Sequence, residues 1–452
     1  MNPFCDIYNV QLRSNDLALL IDSHLPDGNF KSIFIKPNWV YHQEHQAFPI
    51  DAIATNSSLI DLVIEACVKK YKSAQEIIIG DVPLQSCDWE LLLAQSGMGK
   101  LIKKYEAFQN PLIKFLDLRK ERVRMVNGFM ELYPNSVNGD PKGYKEVVLE
   151  DTSFLEAIST EKTRFKVSDY NPEVTASNQH KGFHSYLICG SVLDCDLFIN
   201  IPKMKTHRMA GITGALKNVV GINSQKANLV HFRAGGESRN GDEFPPGVHP
   251  LIVFQTRIRD MLQKKHGLLY RLLRRIWILV RRLACIKVEA TAENLDAGFY
   301  TAPGAWYGND TIWRMIYDLN EILLYAPREG GKLRETPQRH YIAIMDGLVA
   351  GEGNGPTQPL PLNLGVIILS NDPFLMDMVT AQMMGFDYNK IPMLSNFKLF
   401  GNKLWGFFDP MNVGISLNGE KVLGISPIPS VHRFIPPPGW RGHIELSHIT
   451  PM

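Results

Sequence analysis

DLFINIPKMKTHRMAGITGALKNVVG, residues Asp196–Gly221, is the stretch from which the fold can be read. DLFINIP is an apolar run that reads as a buried strand, stopped at Pro202 because proline has no N–H to give to a ladder. In open α/β sheets ligands gather at the carboxyl ends of strands, so Lys203, Lys205, Thr206 and His207 are expected in a loop at the working edge of a sheet. The continuation GITGALKNVVG places Thr213, Gly214, Lys217 and Asn218 at a loop-to-helix junction, where backbone N–H groups suit a phosphate or carboxylate. Neither GxxxxGK[ST] nor GxGxxG occurs here, so the loop carries no nucleotide-binding fingerprint.

Working outward, SIFIKPNWV predicts a strand, DLVIEACVKKY a crossing helix and EIIIGDV a second strand. Together they make a βαβ unit, which implies parallel pairing and a right-handed crossover. Lys36 and Asn38 follow the first strand and Asp81 ends the second, so these ends should lie on the same edge as Lys203. LIKFLDLRK reads as a third strand, and HYIAIMDGLVA as another that stops at GEGNGP, with Asp346, Glu352 and Asn354 near its end. In GNDTIWRMIYDLNEILLY, Asn309 or Asp310 can cap a helix, and Asp310 and Arg314 can share one of its faces near a ligand. Asp372 and Pro373 start a further helix, and Asn418-Gly419 centres a hairpin. His180 and His184, four apart, would stack on a helix but not on a strand. The glycine-rich segment from Asn228 to Pro250 is expected to cover the site as a flexible loop that brings in His231, Arg233, Asp242 and Glu243. The resulting class is α/β, a mostly parallel doubly wound sheet, divided as 1–125, 126–255, a basic helical insertion 256–300, and 301–452 with a Pro-rich arm.

IPKMKTH followed by TGALKNVVGI resembles the central motif of the domain of unknown function 362 family. IKPN at Ile35–Asn38, Gly80-Asp81, YGNDTIWR from Tyr307, DGLVAGEGNGP from Asp346 and NDPFLMD from Asn371 extend the resemblance over most of the chain. No general reaction is implied by it. Some members carry ferredoxin-type iron–sulfur segments, but the six cysteines here contain no CxxC pair, which argues against a cluster of this chain's own.

A net charge of +2 on 452 residues points to no particular partner, and 45% hydrophobic residues are those of a globular chain. The opening MNPFCDIYNV lacks a signal-peptide pattern and no run is apolar enough to span a membrane, so a cytoplasmic protein is expected. Between Arg257 and Lys287, Leu269, Leu272, Leu273, Ile276, Val280 and Leu283 form a stripe flanked by Arg271, Arg274, Arg275, Arg281 and Arg282. Such a helix could lie on an anionic membrane. The expectation is instead that Leu272, Leu273 and Ile276 are buried against this chain or a second copy, with weak binding to vesicles. Oligomeric state is left open.

The functional expectation is an enzyme for a small anionic molecule: Lys36, Lys203, Lys205 and Lys217 hold the anion, His207 moves a proton near neutral pH, and carboxylates bind hydroxyls or a divalent metal. Lys205→Ala and Lys217→Ala should then leave the melting temperature nearly unchanged. The alternative is an accessory protein that docks on a redox or membrane-surface partner through the basic helix. Nucleic acid is not expected, since the basic charge is local and lacks interleaved aromatics.

Overall fold

The structure is a computed structural model that describes every residue except 1–2, 10–13, 127–128, 134–136, 168–169, 171, 249, 265–271, 274, 277–278, 280–301, 401–404 and 448–452. Its centre is one sheet. From one edge the strands run Glu420–Leu423, Gly414–Leu417, Cys5–Asn9, Gln358–Ser370, His340–Asn354, Leu197–Ile201, Ser32–Pro37, Glu76–Asp81 and Leu112–Asp117. The last five pair in parallel, and Gln358–Ser370 is antiparallel to both of its neighbours. The expected mostly parallel α/β sheet is therefore present. Strands from the first and the last quarter of the chain share it, so its portions form parts of one body.

Alternation along the strands explains why both faces are covered. Ile33 and Ile35, Ile77 and Ile79, and Leu197, Ile199 and Ile201 point into one core with Leu59, Ile60 and Val63 of the Ser57–Lys70 helix. Phe34, Ile78 and Phe198 point into the other, against the Ile312–Tyr325 and Pro373–Met383 helices. Local signals in the sequence set the ends of these elements. The Asn56 side chain accepts from the N–H groups of Ser58 and Leu59 to start its helix. Asp372 caps the helix that Pro373 begins, and Asn418 and Gly419 take positive φ of 52° and 89° in the hairpin.

Three departures from the sequence reading bear on the site. After Pro202 the chain does not become a loop: Lys203–His207 is a further strand, paired in parallel with His340–Asn354 through Lys203↔Asp346 and Lys205↔Gly351. The strand at HYIAIMDGLVA does not stop at the glycines but runs through Asn354. Finally, in the Asn228–Pro250 segment residues 228–230, 232 and 241–244 are buried in the body. Within it Asp242 and Glu243 are buried; Asp242 accepts from Thr311 Oγ1 at 2.6 Å, and its carbonyl accepts from Trp306 Nε1 at 2.8 Å.

Most of the basic helical insertion 256–300 lies outside the described residues. A helix runs Pro250–Lys264, and Leu272, Leu273, Arg275, Ile276 and Leu279 beyond it are helical and exposed. The apolar three named for burial are 54%, 37% and 48% exposed. Their expected cover by this chain is thus corrected. No helix among the described residues is long and apolar enough to cross a membrane.

Candidate functional site

Parallel pairing brings the carboxyl ends together, as the pattern of strand and polar turn predicted. Lys36 pairs in register with Asn200, and Lys203 with Asp346. Most of the charges meeting there neutralise one another. Lys36 Nζ lies 2.6 Å from Asp81 Oδ1 and 2.9 Å from the Pro37 carbonyl, and burial, opposed by Asp81, holds its ammonium below the usual lysine range. Gly221 closes over this pair: a Cβ there would overlap Asp81 Oδ1 and Lys36 Nζ, so the glycine is needed for close approach. Lys203 Nζ lies 2.9 Å from Asp346 Oδ2, with both side chains fully buried, and Asp346 also accepts from the N–H of Asn56 and Leu348 at 2.7 and 3.1 Å.

A chain of amides ties the strand ends together. Asn38 Nδ2 donates to Asn218 Oδ1 at 2.7 Å, and Asn218 Nδ2 donates to Asn200 Oδ1 at 2.7 Å and to the Lys36 carbonyl at 3.3 Å. Asn200, central here, went unnoticed in the sequence because it is one polar residue in an apolar strand.

Other expected ligand groups are satisfied internally. Lys205 is fully buried and donates to the Ile53 carbonyl, and burial followed by the nearby Lys203 charge holds it well below the usual lysine range. It is a strand residue rather than a loop lysine, so Lys205→Ala should lower the melting temperature and cost on the order of 2 kcal/mol or more of stability for its buried stem. Lys217→Ala should stay near the parent in the same thermal scan. Thr206 Oγ1 donates to the Gly353 carbonyl at 2.9 Å, Glu352 accepts from Ile435 N at 2.8 Å, and Asn354 Nδ2 donates to Gln358 Oε1 at 3.1 Å.

The backbone cradle at GITGALKN is also filled from within the chain. Ala215 N and Leu216 N donate to the Asp377 carboxylate at 2.5 and 2.9 Å, and a Cβ on Gly214, at φ 58°, would overlap that carboxylate. Burial pushes Asp377 up to about 8, against the pull of those two amides. Gly214 therefore faces Asp377, not a ligand; Thr213 Oγ1 beside it is buried without a bonding partner among the described residues.

Asp310 and Arg314 are not brought into this cluster. They pair with each other at 3.2 Å, Arg314 donates to the Phe154 carbonyl, and Asp310 accepts from Trp313 Nε1. It is Asn309 whose Oδ1 accepts from Thr311 N and Ile312 N at the helix start. His180 and His184 lie on a hairpin with separate partners: the Lys181 carbonyl for one, Gln179 and Glu156 for the other. Among the described residues no group of three His, Cys, Asp or Glu is placed to hold a metal ion.

What remains is a small set with unspent charge. The side chains of Lys217, partly buried, and Lys226, 7% exposed, have neither a hydrogen-bond nor an ion-pair partner among the described residues. Burial, then the Lys226 and Lys36 charges, push Lys217 down to about 7; burial, partly offset by Asp81, pushes Lys226 down to about 8. Two histidines stand in the same field, and burial followed by the Lys217 charge keeps both neutral: His207 is held well below its usual range and His231 is pushed down to about 3. The expectation that His207 titrates near neutral pH is thus corrected, since burial holds it neutral there.

The bonding partners fix the two tautomers. His207 Nδ1 accepts from Met209 N and Ala210 N at 3.1 and 3.2 Å, which leaves the hydrogen on Nε2. His231 Nδ1 lies 2.5 Å from the Leu229 carbonyl, an acceptor only, so the hydrogen is on Nδ1 and Nε2 keeps a lone pair. Of this set Lys226 was missed, because SQKANL reads as plain connection after the motif; His231 was anticipated only as part of a cover.

The family's sequence profile, described as Domain of unknown function (DUF362), matches residues 135–382, which hold all of the Asp196–Gly221 motif and the Asp346 and Asp377 partners. The chain belongs to the DUF362 family. That membership accounts for the motif run from Ile201 to Ile222 and carries no reaction with it. No curated protein matches this DUF362 chain. A solved structure similar to it is the crystal structure of a protein from Thermotoga maritima, 10% identical, with a TM-score of 0.33. The match covers 77% of the DUF362 chain and 53% of that protein.

Proposed function

We propose that the protein is an enzyme that binds a small phosphate- or carboxylate-bearing molecule at the carboxyl edge of its sheet, with Lys217 and Lys226 as the anion-holding pair. The observation that carries this reading is the absence, among the described residues, of any counter-charge bonded to these two lysines. A cation held away from water costs free energy unless an anion joins it. Asp81, the carboxylate whose charge both lysines feel, is already engaged by Lys36, Trp39 N and Val82 N. The histidines supply the chemistry expected of an enzyme rather than a simple receptor: His207 offers an Nε2–H to a developing negative charge, and His231 offers an Nε2 lone pair to a proton.

The test uses inorganic phosphate and sulfate as probes in isothermal titration calorimetry of the whole chain. A charge-assisted hydrogen bond is worth about 1.5–3 kcal/mol, so Lys217→Met and Lys226→Met should each weaken binding at least about 10-fold without lowering the melting temperature. Equal affinity in parent and variants would remove the lysine pair from any binding role.

A further inference from the structure

We propose that the helix carrying Leu272, Leu273, Ile276 and Leu279 docks the protein on an anionic lipid surface. All four side chains are exposed, between 37% and 57%, and their spacing of three and four places them on one helical face. Leucine and isoleucine at that exposure leave a contiguous apolar strip in water, which calls for an occupant.

Charge selects the occupant. Between Arg257 and Lys287 the sequence holds ten Lys or Arg and one Asp, a net charge of +9. The chain as a whole is only +2, so the remainder carries −7. A strongly basic segment in an otherwise net acidic chain is drawn to an anionic surface in one orientation, with the segment toward the lipid and the rest repelled from it. In the sequence Arg271, Arg274, Arg275, Arg281 and Arg282 are interspersed with and follow the apolar residues, and Arg275 is helical and exposed. Apolar residues entering the acyl boundary with arginines at the headgroups is the arrangement of an interfacial helix. A second copy fits worse. Helix pairs draw on flanking Glu–Lys or Glu–Arg pairs, and with Asp260 the single acid in the segment, two copies would only bring like charges together.

The test is co-sedimentation of the full chain with phosphatidylcholine vesicles, with and without phosphatidylglycerol, at low and high salt, alongside light scattering. The proposal expects binding to the anionic vesicles that fades as salt rises and is weak or absent on the neutral ones. Two arginine charges near the surface should be worth on the order of a 30-fold change in partitioning, lost in Arg274→Gln with Arg275→Gln. Leu272→Asp with Ile276→Asp should abolish binding. Leu272, Arg275 and Ile276 are exposed, so the variants should melt with the parent, which separates lost docking from lost folding. No binding by a folded parent, or equal binding to neutral and anionic vesicles, would overturn the proposal. So would a parent dimer that the two aspartates split, since that would assign the face to a second copy.

Discussion

Replacing Asp346 with alanine should destabilise the protein by about 3–5 kcal/mol, because it strands the Lys203 ammonium in a fully buried position. The same change removes the acceptor for the N–H groups of Asn56 and Leu348, the first of which precedes the Ser57–Lys70 helix. Asp346→Asn keeps an acceptor and loses only the counter-charge, so it isolates the ionic part of the cost. Adding Lys203→Met to Asp346→Asn should then regain stability, since the lone charge is gone. Chemical denaturation of the parent, Asp346→Asn, Lys203→Met and the double variant reads this directly. Simple addition of the two single losses would mean that Lys203 and Asp346 do not act as a pair.

A comparable loss is expected from Asp377→Ala. Its carboxylate is the acceptor for two buried amides, Ala215 N and Leu216 N, at the start of the short helix that carries Lys217 and Asn218. Each amide left without a partner costs about 1–3 kcal/mol, and the void against Gly214 adds to that. Hydrogen exchange at Ala215 and Leu216 should speed up, the melting temperature should fall, and anion affinity should weaken as Lys217 loses its mount. Unchanged exchange at the two amides would show that Asp377 is not what holds this turn.

These two carboxylates mark where the sequence was legible and where it was not. SIFIKP, EIIIGD and DLFINI are continuous apolar runs ending in polar residues, which is how strands buried on both faces look, so sheet, parallel pairing and common edge could all be read. Which lysine meets which acid could not. Asp346 lies 143 residues from Lys203, and Asp377 lies 162 from Ala215, distances at which no local pattern operates.

KMKTH reads as a loop because Pro202 stops the apolar run before it, yet its five residues form a strand and all are buried. Local preference yields there to the requirements of the polar cluster, as it does at functional sites generally. The backbone cradle was inferred from glycines and free amides, and the acceptor turned out to be the chain's own Asp377. The stripe at Leu272–Leu279 had a clear period, but periodicity reports a face and not what lies against it.

The most direct test of the lysine pair is the pH dependence of sulfate binding, since the charge of sulfate is constant across the range. In the free protein Lys217 and Lys226 lose their protons from about 7 and about 8. A bound anion favours the charged form and raises both values, so binding takes up protons above pH 7 and must weaken as pH rises. Below pH 6 both lysines are already charged and affinity should level off. Calorimetry at pH 6 and pH 9 should give at least about a 10-fold tighter complex at the lower pH in the parent, and a flat profile in Lys217→Met with Lys226→Met. A parent affinity that is equal at the two pH values, or that strengthens as pH rises, would contradict an anion site built on these lysines.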